Sequence, residues 1–94
     1  KMLRLSDGKE ILANSQLANG WHFSDEFKQF EYLYKGYRWA WLAKHREMPD
    51  YYWVCVCDSL NDKLPDNLGA KPFASAKGYI ETFVDRHGPN VYIM

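Results

Sequence analysis

From Phe30 to Trp41 aromatic side chains recur at every second position: Phe30, Tyr32 and Tyr34 before Lys35-Gly36, then Tyr37, Trp39 and Trp41 after it. A period of two puts alternate side chains on one face of a strand, and glycine supplies the positive φ of a tight turn, so the pattern predicts a hairpin. A two-residue loop at Lys35-Gly36 sets Tyr34 opposite Tyr37, Tyr32 opposite Trp39 and Phe30 opposite Trp41, all on one face. The other face then carries Leu33, Ala40 and Leu42 with Glu31, Arg38 and Lys44. Tyr51 to Cys57 is apolar on both faces, as expected of a central strand covered above and below. Met2 to Leu5 and Lys9 to Leu12, around Ser6-Asp7-Gly8, read as two short strands joined by a turn. Asn90 to Met94 is long enough for one more, with Val91 and Ile93 facing one way and Tyr92 and Met94 the other.

The period changes near the C-terminus. Ala76, Tyr79, Ile80, Phe83 and Val84 share one face of a helix predicted from Ala76 to His87, capped by Ser75 and stopped by Gly88-Pro89. Between these elements, Asn14, Ser15, Asn19 and Gly20 mark a loop from Ala13 to Trp21, and Ser24-Asp25-Glu26 allows no more than one helical turn. His45 to Asp50 is a charged connection ended by proline. Asp58 to Pro72 is too long and too rich in Pro, Gly, Asp and Asn for a regular element; such a stretch has a role, is mobile or hides a short helical turn. The expected architecture is α+β, a small antiparallel β-sheet of three to five strands with one C-terminal helix packed on one face.

With 94 residues, residues 1–94 read as a single domain, and Lys1, ahead of Met2, is left out of the fold reading. The composition is 47% hydrophobic and 17% aromatic, that of a folded chain. Twelve basic residues balance 12 acidic ones, which removes any overall field toward nucleic acid or an acidic membrane. No stretch approaches the roughly 18 apolar residues of a membrane span, and no leader pattern opens the chain, so a cytoplasmic protein without membrane contact is expected.

Cys55 and Cys57, two apart in a β-prone run, are expected on the same face as reduced, buried thiols, since bridging them would close a strained loop. As a metal pair they lack further ligands: His22, His45 and His87 stand at no recognisable spacing from them. Asp58, Asn61, Asp62, Asp66 and Asn67 do not match a calcium loop. No metal or cofactor is expected. A Cys57–His87 thiol and base pair can be drawn, without a third group to orient it, while His87 at a helix C-terminus already suits the dipole.

Lys28, Lys35, Arg38, Lys44 and Arg46 stand against Glu31 alone, and the next stretch reverses sign with Glu47, Asp50, Asp58, Asp62 and Asp66 against Lys63. Aromatics beside basic residues can form a platform for single strands, with rings on bases and cations on phosphates. Here Lys35, Arg38 and Lys44 mark the non-aromatic face or the turn, so stacking surface and charge do not coincide. The apolar surface also exceeds what one helix can cover. Either the segment from Trp21 to Phe27 folds over the second face of the sheet, or that face meets another molecule.

The aromatic hairpin and strand, followed by Pro-Phe-Ala-Ser-x-x-x-Tyr-Ile from Pro72 to Ile80, resemble short accessory proteins of phages and prophages. The resemblance carries no site residues and implies a protein that acts by binding another protein. The resulting expectation is a small non-catalytic interaction module that contacts a protein partner or itself, as a homodimer. Trp21, Arg38, Trp53 and Asp62 are its candidate contact residues. One alternative is single-stranded nucleic-acid binding through residues 28–46, with Lys35, Arg38, Lys44 and Arg46 on phosphates. The other is a thiol enzyme using Cys57 or Cys55.

Overall fold

A computed structural model of the chain describes residues 2–5, 10–12, 20–34 and 36–93, with side-chain detail for 20–34 and 36–88. Two antiparallel sheets form. The larger has the order β3-β4-β5-β6-β7, with β3 Gly20–Ser24, β4 Gln29–Tyr34, β5 Tyr37–Lys44, β6 Tyr51–Val56 and β7 Lys71–Pro72. The smaller, β2-β1-β8, joins β1 Met2–Leu5 to β2 Glu10–Leu12 on one side and to β8 Pro89–Ile93 on the other. The helix α2, Phe73–His87, packs on one face of the five-stranded sheet. The architecture is thus α+β, with the C-terminal strand paired to β1 rather than to the sheet that the helix covers.

The core lies between that helix and sheet. Ala76, Ile80, Phe83 and Val84 of α2 are buried against Trp39, Ala40, Leu42 and Val56, with Leu60 closing one end. The helical stripe read from the 3.6 period is the face that packs. The helix begins three residues earlier than expected: Pro72 precedes its first turn with no side-chain cap, and Ser75 lies exposed inside it. Pro72 is still extended, at ψ 153°, as the last residue of β7, so the helix begins at the next residue. At the other end the Gly88 N–H donates to the Val84 carbonyl at 2.6 Å, and a Cβ on Gly88 would run into that oxygen. Glycine is needed there for close approach.

The hairpin closes as expected at its turn, with Tyr34 opposite Tyr37 and Gly36 at φ 75°. Lys35 and the Ser6-Asp7-Gly8 turn fall outside the described residues, as does the loop before Gly20. Beyond the turn the expected register fails. Leu33 pairs with Arg38 and Tyr32 with Ala40, so Trp39 is an extra residue in a β-bulge. Two of the three expected aromatic pairs are therefore replaced by Tyr32 with Ala40 and Phe30 with Leu42. The bulge shifts every later residue of β5 to the opposite face. Trp39, Ala40 and Leu42 all go under the helix, whereas Trp41 moves to the far face. Trp39 is fully buried, and its indole N–H donates to the Tyr34 carbonyl at 3.1 Å, which satisfies its one polar atom.

The third strand of the reading, β6, sits between β5 and a two-residue β7, which pairs only Tyr51 and Tyr52. It is central at one end only. The residues from Asp58 onward contain a short helix, α1 Asp58–Asn61, whose Leu60 is fully buried. Cys57 lies past the end of β6 and joins the core, while Cys55 pairs opposite Trp41, so the two thiols do not share one strand face as expected.

Candidate functional site

The face of the sheet away from α2 is built by register. His22 of β3 stands opposite Glu31 of β4, Glu31 stands opposite Trp41 of β5, and Trp41 stands opposite Cys55 of β6. Gln29 precedes Glu31 by two residues, and so faces the same way. Arg38 would be on the same face as Leu33, its partner, and the bulge then allows Trp41, three residues on, to join it.

These positions converge on one carboxylate. Glu31 Oε2 accepts from Arg38 Nη1 at 2.9 Å and from Gln29 Nε2 at 2.9 Å, while Oε1 lies 3.0 Å from His22 Nε2. The Glu31 side chain is 8% exposed, against 38% for Arg38 and 44% for His22, so an inner acid is ringed by outer donors. Burial pushes the Glu31 carboxyl up, but the hydrogen bonds from Gln29, Arg38 and His22 and the Arg38 charge outweigh it and hold the group below its ordinary value. The ionised carboxylate is the stable form.

Around this network stand aromatic rings. The Arg38 guanidinium lies 4.3 Å from the centre of the Trp41 ring and 5.5 Å from that of Phe27, a cation held between two π faces. Phe27 is carried by the turn between β3 and β4, where its N–H donates to Ser24 Oγ at 3.2 Å and Lys28 takes φ 53°. Further along the face, Trp53 is 43% exposed and stacks on His45 at 5.3 Å. His45 Nδ1 in turn accepts the N–H groups of Glu47 and Met48, which orders the connection into β6. At the α1 end, Tyr37, Arg38, Trp41, Cys57 and Asp58 line an open cleft of about 340 Å³.

The four candidate contact residues divide. Arg38 and Trp53 are on this far face. Trp21 is on the helix side, with its ring 5.0 Å from Tyr32 and its N–H donating to Glu81 at 3.0 Å. Asp62 ends α1. The phosphate set also divides: Lys44 lines a depression with Phe23, Phe30, Leu42 and Tyr52 on the helix side, and Arg46 lies in the exposed connection. The expectation that charge and aromatic platform do not coincide is overturned at one point, because the bulge brings Arg38 onto Trp41. Of the two ways to cover the second face, the first is met in part: Phe27 lies on Arg38, while Gly20–Ser24 is itself a strand, the last of the sheet among the described residues.

Glu31, His22, Gln29 and Trp41 are not among the contact residues expected from the sequence, and only their register joins them. A lone acid in the middle of an aromatic strand was the available signal. Burial pushes both thiols, Cys55 and Cys57, up, against backbone hydrogen bonds that act in the opposite direction. Among the described residues no group of three His, Cys, Asp or Glu side chains could hold a metal ion, and no helix is long and apolar enough to cross a membrane. No protein-family model, curated protein or solved structure matches the chain.

Proposed function

We propose that this chain is a small non-catalytic protein-interaction module that docks its partner on the far face of the five-stranded sheet. The observation that carries the reading is an arginine fixed in place by a buried carboxylate, with the exposed Phe27 and the half-buried Trp41 rings on its guanidinium and the exposed Trp53 further along the same face. Aromatic residues and arginine are enriched at the centres of protein interfaces, and side chains already ordered in the free protein lose little entropy on binding. The division of Lys44 and Arg46 from Arg38 favours a protein partner over a nucleic-acid strand. The likeness to phage and prophage accessory proteins supports the same reading, and two free thiols suit a reducing compartment such as the cytoplasm.

The test is affinity capture from a lysate of the native host with the wild-type chain and with Trp53→Asp. A protein retained by the wild type and lost with the variant supports the reading; an identical set retained by both overturns it. Tryptophan fluorescence titrated with oligonucleotides at low salt tests the nucleic-acid alternative, for which quenching at tens of micromolar is the required result.

A further inference from the structure

On the helix side of the sheet, near the Phe73 end of α2, a row of residues runs across the strands. Lys44 of β5 stands opposite Tyr52 of β6, and Tyr52 stands opposite Lys71 of β7. One step of two residues beyond the Phe30–Leu42 pair sets Lys28 against Lys44, and both lysines line the same depression. Like charges opposed across strands are destabilising. Lys28 also holds φ 53°, a left-handed conformation that is uncommon for a residue with a side chain. Among the described residues neither ammonium has an ion-pair partner, and no carboxylate lines the depression; Asp25 and Glu26, in the same turn as Lys28, are exposed outside it. Beneath the lysines the surface is apolar. Phe23, Phe30, Leu42 and Tyr52 enclose about 260 Å³. The Phe30 ring lies 5.0 Å from both Phe23 and Phe73, and Tyr52 lies 5.4 Å from Phe73, so the walls are held ring on ring.

We propose that this depression binds a small aromatic carboxylic acid, with its ring against Phe23, Phe30 and Tyr52 and its carboxylate between Lys28 and Lys44. The site is on the opposite side of the sheet from the far face and does not depend on the reading given to that face. Size sets the ligand class: small-molecule sites commonly measure roughly 300–1,000 Å³, so about 260 Å³ suits a ligand of one or two rings. Charge sets its sign. One negative group between the two ammoniums replaces their repulsion with two attractions, each shorter in range than the repulsion it offsets. An uncharged aromatic leaves that repulsion in place, and an anion without a ring leaves the apolar floor in water. Walls that are already packed in the free protein lose little freedom when the ligand enters.

The test titrates the full chain with naphthoate, with its uncharged amide and with acetate, read from the NMR signals of the backbone amides. Naphthoate should bind with a Kd below about 1 mM and move the signals of Phe23, Phe30, Leu42 and Tyr52, while the amide and acetate should each bind about tenfold more weakly or worse. Lys28→Gln and Lys44→Gln should each weaken naphthoate about fivefold or more without lowering the melting temperature, because each removes one of two opposed like charges. Arg86→Gln, in the last turn of α2, should leave the affinity unchanged. Naphthoate that fails to bind at several millimolar, on the order of the weakest affinity a specific site would show, overturns the proposal. Equal binding of naphthoate with its amide or with acetate does so too, as does an equal loss with Arg86→Gln and the lysine variants. Signal changes centred on Trp41 and Trp53 would also overturn it, and would leave the far-face reading in place.

Discussion

The two faces of the five-stranded sheet are made from the same strands and solve different problems. Under α2, Trp39, Leu42 and Ile80 are buried with at most 1% exposure, and the polar atom of Trp39 is used by a backbone carbonyl. On the far face the most buried side chain of the cluster, Glu31, is charged, and the rings around it stay partly exposed. One face is closed by apolar contact. The other is held in shape by hydrogen bonds to a carboxylate, which fixes direction as well as distance and leaves apolar surface available.

Breaking the closed face should have the largest effect. Trp39→Ala removes a fully buried indole and is expected to cost about 3–5 kcal/mol, and Ile80→Ala about 2–5 kcal/mol, read from urea unfolding. Against a total of about 5–15 kcal/mol for a domain of this kind, either change should leave a large unfolded fraction near body temperature.

The far face should respond to pH. The Glu31 carboxyl is more acidic in the folded chain than its ordinary 4.5, so its ionised form adds stability above that value, and the contribution is lost as the pH falls further through the folded value. Unfolding free energy of the wild type should drop in that acid range, and Glu31→Gln should flatten the drop while lowering stability at neutral pH by about 1–3 kcal/mol. A wild-type acid limb unchanged in Glu31→Gln would remove the carboxylate from its place at the centre of this face.

Trp53→Ala should change stability by no more than about 1 kcal/mol, because the ring is half exposed and rests mainly on His45. A larger loss would make Trp53 a core residue and reduce the contrast between the faces. The finest distinction is chemical. Cys55, half-buried on the far face, should react with an alkylating reagent faster than Cys57, and both should react slowly until the protein unfolds, since burial raises both thiols. Rapid native labelling of Cys57 would revive the thiol-enzyme alternative.

Much of the frame was legible in the chain. The α2 stripe from Ala76 to Val84, the glycine at its end, the Tyr34–Tyr37 closure of the hairpin and the strand at Tyr51 follow from periods and turn residues, which are local properties. The helix starts at Phe73 rather than Ala76: Ser75 is a good cap by residue type, but the chain turns helical directly after Pro72, with no side-chain cap. The site was harder to read. Glu31 and Arg38 are seven residues apart and in sequence read as separate charges on a half-polar face.

Alternation alone determined that this chain has an aromatic hairpin and an amphipathic helix, because side-chain period follows directly from backbone geometry. Only the tertiary structure decided which face each residue after Arg38 would occupy. A single extra residue at Trp39 costs little locally, but it reverses the parity of the strand, and burial of a whole indole with its N–H satisfied is a gain that no pattern of period two can express. The same step carried Trp41 out to Arg38 and made the far face a candidate surface.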